Sequence, residues 1–177
     1  ISLNLQKPSI NKLLIFGQGG HARVVADAVS NTNKLEVVGL IKKANSAPSH
    51  QYTTYPIYDE TYAIKLLKDE PIGLILGIGC HKIRIRLHNR LSAKLQKLKY
   101  IAAIHPSSTL LNGTEIAEGT FVAAGAIIGV NTKIGKHTII NTKASIDHDS
   151  QVGNFCSIAP GVTIGGNVLI GNNVMIG

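Results

Sequence analysis

An aliphatic residue stands at every sixth position of the second half of the chain: Leu110, Ile116, Val122, Ile128, Ile134, Ile140, Ile146, Val152, Ile158, Ile164, Ile170 and Ile176. Four residues after each of the first eleven comes a small or β-branched residue, from Thr114 through Ala126, Ala144 and Cys156 to Val174. Glycine often follows the aliphatic position directly, as at Gly129, Gly135, Gly153 and Gly165. This register describes short flat strands joined by tight corners, three strands to a coil, with the aliphatic side chains stacked inside. It predicts a parallel β-helix of hexapeptide repeats whose coils wind left-handed, against the usual crossover rule. The register stops at Gly177, just past an aliphatic position. Either the natural chain continues, leaving the coil domain incomplete here, or something else covers the open edge.

Charge divides the chain near His105-Pro106. Residues 1–104 hold 15 Lys and Arg against 6 Asp and Glu, whereas residues 105–177 hold 3 against 4. Two domains are expected, 1–104 and 105–177. In the first, the apolar run Lys12–Phe16 ends at Gly17-Gln18-Gly19-Gly20, and a helical pattern follows from His21 to Ser30 with Val24, Val25, Ala28 and Val29 on one face. Strands are expected at Glu36–Ile41 and Ile72–Ile78. A helix from Asp59 to Asp69, with Asp59 as N-cap, is expected between them, and residues 44–54 read as a loop. Alternating strands and helices predict a small Rossmann-like parallel sheet. A last helix, His81–Lys99, carries seven Lys and Arg and no acidic residue, with Ile83, Leu87, Leu91, Leu95 and Leu98 at helical spacing. Its basic side reads first as a solvated face and second as a surface for the phosphates of a nucleotide.

The glycine turn after the first strand suits phosphate, because glycine admits close backbone approach and the free helix N–H groups attract an anion. A tight turn without ligand fits the same residues. Lys42-Lys43 stands where a dinucleotide fold would place an acid for the ribose, which argues against NAD. In the coil half, His148 lies between Asp147 and Asp149. A carboxylate beside imidazole orients the ring and raises its basicity, which suits proton transfer, although a solvated corner histidine has the same sequence.

Taken together, KLLIFGQGGHARVV at the front, His105-Pro106-Ser107 at the junction, the hexapeptide repeats, and INTKASIDHDSQVG followed by IAPGVTIGG resemble the sugar O- and N-acetyltransferases. That family includes sialic-acid O-acetyltransferases and the N-acetyltransferases of UDP-4-amino-sugars and perosamine. The resemblance covers residues 12–177 and implies acetyl-CoA as co-substrate, a nucleotide-sugar acceptor from bacterial surface-glycan biosynthesis, and a cytoplasmic homotrimer with active sites between subunits. It assigns His148 as general base and Asp149 as its acidic neighbour. It places Asn141 near the acceptor sugar, Gly19, Gly20 and His21 at the nucleotide-sugar, Gly79 at the nucleotide, and Ser157 where a relative has a CoA-contacting histidine. Lys42-Lys43 replaces an acidic pair that lies beside the nucleotide base in relatives.

Two rival readings keep the same scaffold. One is a truncated, inactive relative. The other is a zinc-dependent hydratase, for which the coil half offers His105, His137 and His148 but no HxxxxH pair. No metal is expected. Cys80 and Cys156 form no CxxC pair, which argues against zinc fingers and a disulfide scaffold. Aromatic residues amount to 5% with no Trp, so a base-stacking nucleic-acid surface is poorly supplied. No apolar run is long enough to span a membrane.

Overall fold

The computed structural model describes residues 10–32, 34–43, 46, 54–95 and 97–177. The first domain is a four-stranded parallel sheet with three helices. Its elements run β1 (Lys12–Phe16), α1 (Gly20–Ser30), β2 (Glu36–Lys42), β3 (Ile57–Asp59), α2 (Glu60–Asp69), β4 (Ile72–Leu76) and α3 (His81–Lys94). In space the strand order is β3-β2-β1-β4. The chain therefore moves outward from β1 on one side, then returns to place β4 on β1's other flank. Loops from opposite sides meet at the carboxyl ends of β1 and β4, the position where open parallel sheets hold ligands.

Several expectations change. β3 was not foreseen: it is three residues long, follows Pro56, and carries too little apolar sequence to signal a strand. β4 stops at Leu76, leaving Gly77, Ile78 and Gly79 to form the turn. Val24 is 47% exposed, and Ala22 and Ala26 join Val25, Ala28 and Val29 on the buried side of α1. Asp59 does sit at the N-cap of α2, but its carboxylate pairs with Lys42 at 2.8 Å instead of capping. α3 ends at Lys94, with Leu95 and Leu98 packing from the segment beyond it. All but Ser46 and Thr54 of the expected loop 44–54 lies outside the described residues.

From Ala103 the chain enters a left-handed β-helix of thirteen two-residue strands, the last at Met175–Ile176. Each of the first ten pairs in parallel with the strand eighteen residues on, as Lys133 with Gln151 and Ile140 with Ile158, so three strands make one coil. The sixfold aliphatic residues fill the interior: Val122, Ile128, Ile140 and Ile158 have no exposed surface. Thr120, Thr132, Thr138 and Ser150 are also buried, each donating its hydroxyl to a carbonyl fifteen residues ahead. Such a bond is what allows a polar side chain inside an apolar prism.

Every corner after the first contains one residue in the left-handed region, at positions 113, 119, 125 and onward by sixes to 173. Glycine or asparagine occupies seven of these eleven corners, as that conformation favours. His137, Lys143, Asp149 and Phe155 take the other four, in unbroken succession.

Cys156 is buried, and its Sγ donates to the Gly171 carbonyl at 3.0 Å. It is a core residue. Cys156→Ala is expected to lower unfolding free energy by about 1–2 kcal/mol, the worth of a buried contact and a weak hydrogen bond, and to leave turnover unchanged. Chemical denaturation beside a rate assay checks both halves.

Candidate active site

Three sheets form the sides of the coil prism, and the first domain covers one of them. Phe121, Ile139 and Ala103 of that side belong to one apolar cluster with Leu13, Ile15, Val25 and Val29. The corner carrying residues 147–150 lies between the other two sheets, opposite the covered side.

At that corner the His148 Nδ1 and Asp149 Oδ2 are 2.8 Å apart, and both side chains are about half exposed. The Asp147 carboxylate accepts the His148 backbone N–H at 2.8 Å. Asp149 raises the histidine pKa through this hydrogen bond, with the Asp147 charge adding to it, and the same bond lowers the Asp149 pKa. Because Nδ1 is taken, Nε2 is the nitrogen left for a proton.

Two residues that the sequence reading passed over complete the corner, both in neighbouring coils. Asn131, one coil below Asp149, donates from Nδ2 to Asp149 Oδ1 at 3.2 Å. Gly113 lies a coil below Asn131, where a Cβ would come within 2.3 Å of the asparagine Oδ1. Gly166 lies a coil above His148, and a Cβ there would strike Nε2 at 2.7 Å. An eighteen-residue step from His148 or Asp149 finds Gly166 and Asn131 at once.

In the first domain the turns that follow β1 and β4 lie side by side, and the open space beside Gly19 and Gly79 is the candidate crevice. Gly17 and Gly77 pack these turns together, for a Cβ on Gly17 would meet the Gly77 oxygen at 2.7 Å. Gly19 and Gly79 face open space, and a Cβ on Gly20 would meet only Arg23 Nη2, at 3.8 Å. His21 opens the first turn of α1 with its ring edge-on to Phe121. Burial, and then the Arg84 charge, push its pKa down to about 4, so the ring is neutral at pH 7.

Arg84 overturns the reading of α3 as wholly solvated on its basic side. Its side chain is 1% exposed and bonds to both domains. Nη1 donates to the carbonyls of Ile78 and Gly79 at 2.8 and 2.7 Å. Nε donates to the His137 carbonyl at 3.1 Å, and Nη2 to the Cys156 carbonyl and the Ser157 hydroxyl at 2.9 Å each. Burial lowers its pKa to about 10, which leaves it charged at neutral pH. Beside it His137 is 1% exposed, stacked on Phe155 and edge-on to Tyr100, with His88 at 4.6 Å.

The candidate residues thus fall into two groups. Gly19, Gly20, His21 and Gly79 gather at the crevice, and Ser157 lies beneath it through Arg84. Asn141 stands on the same covered sheet's far corner, its backbone N–H bonded to the Ile158 carbonyl. His148 and Asp149 stand together on the opposite corner. Among the described residues no three His, Cys, Asp or Glu side chains gather as a metal site. Of the three coil histidines, His137 is packed among rings and His105 Nδ1 is bonded to Ser107, 3.0 Å from its N–H. No helix among the described residues is long and apolar enough to cross a membrane.

The architecture is a parallel-sheet domain seated on stacked hexapeptide coils, with an exposed histidine at a coil corner. Residues 12–91 match the PglD N-terminal domain family, and residues 131–166 match the bacterial transferase hexapeptide family (six repeats). No curated protein sequence matches. Among solved structures, the acetyltransferase domain of PglB from Neisseria gonorrhoeae, in complex with acetyl coenzyme A, is 26% identical. Its TM-score is 0.84, with 95% of this chain and 80% of that one covered. PerB from Caulobacter crescentus, in complex with CoA and GDP-perosamine, is 25% identical with a TM-score of 0.70, covering 96% and 90%. WeeI from Acinetobacter baumannii shares the fold at 22% identity, with a TM-score of 0.80 and coverage of 92% and 76%. The chain thus carries a PglD N-terminal domain followed by hexapeptide transferase repeats, and it is an acetyltransferase.

Proposed function

We propose that the protein transfers the acetyl group of acetyl-CoA to an amino or hydroxyl group of a nucleotide-activated sugar, with His148 as general base. The observation that carries this reading is the half-exposed His148–Asp149 pair, bonded through Nδ1 with Nε2 left unbonded. The acceptor nitrogen or oxygen attacks the thioester carbonyl, its proton passes to His148 Nε2, and the carbon–sulfur bond breaks to release CoA. Asp149 stabilises the imidazolium formed in that step, and Asn131 holds Asp149 in place. No acyl-enzyme is required.

The nucleotide-sugar occupies the crevice at the switch point of the first domain, with its diphosphate toward Gly19, Gly20 and the start of α1. The acetyl donor lies along the coil. A groove of about 440 Å³ lies on one uncovered sheet past Gly135, Gly153 and Gly171. Because the crevice and His148 lie on opposite sides of one prism, the site is completed between copies, in a homotrimer around a threefold axis. Light scattering that finds only monomer at micromolar concentration contradicts this assembly.

Incubation with acetyl-CoA and a panel of UDP- and GDP-amino-sugars, followed by release of free thiol, tests the activity. A thiol signal that needs both substrates supports it, and none across the panel counts against it. Gly20 offers a cleaner test of the crevice, since a side chain there meets no wall of the protein. Gly20→Leu is expected to raise the nucleotide-sugar KM tenfold or more (about 1.4 kcal/mol), leaving the acetyl-CoA KM and the melting temperature near wild type.

A further inference from the structure

Arg84 is a buried cation with no carboxylate partner among the described residues. All its described acceptors are neutral, namely backbone carbonyls of both domains and one hydroxyl. Burying a charge is costly, and a guanidinium offsets that cost only when its donors are matched. Here the fork is matched from two sides. The turn after β4 offers Ile78 and Gly79, and the coil offers His137, Cys156 and Ser157.

This arrangement fixes which way two peptide units face. In a trans peptide the C=O and N–H point in opposite directions, and the chain contains no cis bond among the described residues. With the Ile78 and Gly79 carbonyls drawn inward to Arg84, the N–H groups of Gly79 and Cys80 point the other way, away from the guanidinium. Neither has an acceptor among the described residues. Gly79 carries no side chain to screen them, and its Cβ direction is open.

We propose that Arg84 is a positioning residue for the nucleotide-sugar: it holds the Gly79 and Cys80 N–H groups toward the ligand and references them to the coil. This rests on the reading of the crevice as the nucleotide-sugar site. Arg84 touches no substrate. It acts through the backbone of Ile78 and Gly79, and its anchor on the other side is the coil backbone and Ser157. The turn after β4 is thereby tied to the coil by one side chain's hydrogen bonds.

Calorimetric titration of UDP and GDP into the full chain, wild type beside Arg84→Lys, Arg84→Ala and Ser157→Ala, tests the proposal, with thermal unfolding measured on each. Lysine retains the charge and loses the fork, so Arg84→Lys is expected to weaken binding of the preferred nucleotide tenfold or more. In Arg84→Ala, added ethylguanidinium is expected to restore binding, an outcome that a general packing defect does not give. Ser157→Ala removes one anchor on the coil and is expected to weaken binding two- to fivefold with a near-native melting temperature. This variant carries the test if the Arg84 variants do not fold. If wild type binds a nucleotide and Arg84→Lys and Ser157→Ala bind it equally well, the positioning role is overturned while the crevice reading stands. If wild type binds neither UDP nor GDP, the crevice reading falls, and this inference with it.

Discussion

His148→Ala is expected to lower kcat by roughly 10² to 10⁴, the usual worth of a general base, and to leave the melting temperature near wild type because the side chain is half exposed. The pH dependence separates a base from a binding residue. Only neutral imidazole accepts a proton, so the rate rises with pH as His148 loses its own. Asp149 and Asp147 place that rise above the ordinary histidine value. Asp149→Asn removes the larger cause, so the limb moves to lower pH while kcat falls. Asn131→Gly keeps a residue suited to the left-handed corner and removes only the bond to Asp149. It is expected to lower kcat less than Asp149→Asn does. A rate–pH profile unchanged in Asp149→Asn, or an acetyl adduct on Cys156 by mass spectrometry, contradicts direct transfer with His148 as base.

The second large effect is on stability in acid. His137 and His21 are held neutral, with pKa values pushed down to about 3 and about 4, first by burial. His88, Arg84 and Lys136 add to the effect at His137, and Arg84 at His21. Above the ordinary histidine value of 6.5 both rings are neutral whether the chain is folded or not, and they contribute no pH dependence. As pH falls below 6.5 the unfolded chain takes up protons that the folded chain refuses. Stability is therefore lost progressively down to about pH 4. At about 1.4 kcal/mol per unit for each ring, the pair withdraws on the order of 5 kcal/mol over that range. That is comparable to the whole stability of many domains. His137→Phe keeps an aromatic ring on Phe155, which itself shows that a phenyl ring fits this left-handed corner column. It is expected to remove about half of the acid loss in urea melts between pH 7 and pH 4. An unchanged loss in that variant shows that other groups cause it.

The coil was legible because its rule is strict: twelve aliphatic positions without exception leave one way to bury them. The His148–Asp149 contact was legible for the same reason, since neighbours at a corner stay neighbours. Asn131 and Gly166 were within reach of the sequence, but only through the eighteen-residue stride of a full coil, and a six-residue frame hides it. Arg84 was not. It stands three residues before Leu87 and seven before Leu91, on the buried side of α3, but the apolar Ile83 beside it claims that face in the sequence and is 52% exposed in the structure. The end of α3 was overrun because Leu95 and Leu98 continue the apolar spacing while packing from the segment beyond the helix. β3 follows a proline and is too short to show a pattern.

The coil stride also governs how such a chain can lengthen. An insertion of eighteen residues adds one storey and returns every later residue to the side of the prism it occupied before. Six added residues also preserve the aliphatic register, yet they turn everything above by a third of a revolution. Placed between Asn131 and His148, six residues would carry the histidine to a different edge, with its interior packing intact and its partner Asn131 left behind. Folding alone tolerates both lengths, whereas the functional corner admits neither within the four storeys spanned by Gly113, Asn131, Asp149 and Gly166. Length change that keeps the corner is thus confined to the chain above or below those four residues, and only whole storeys there return every later residue to its own side of the prism.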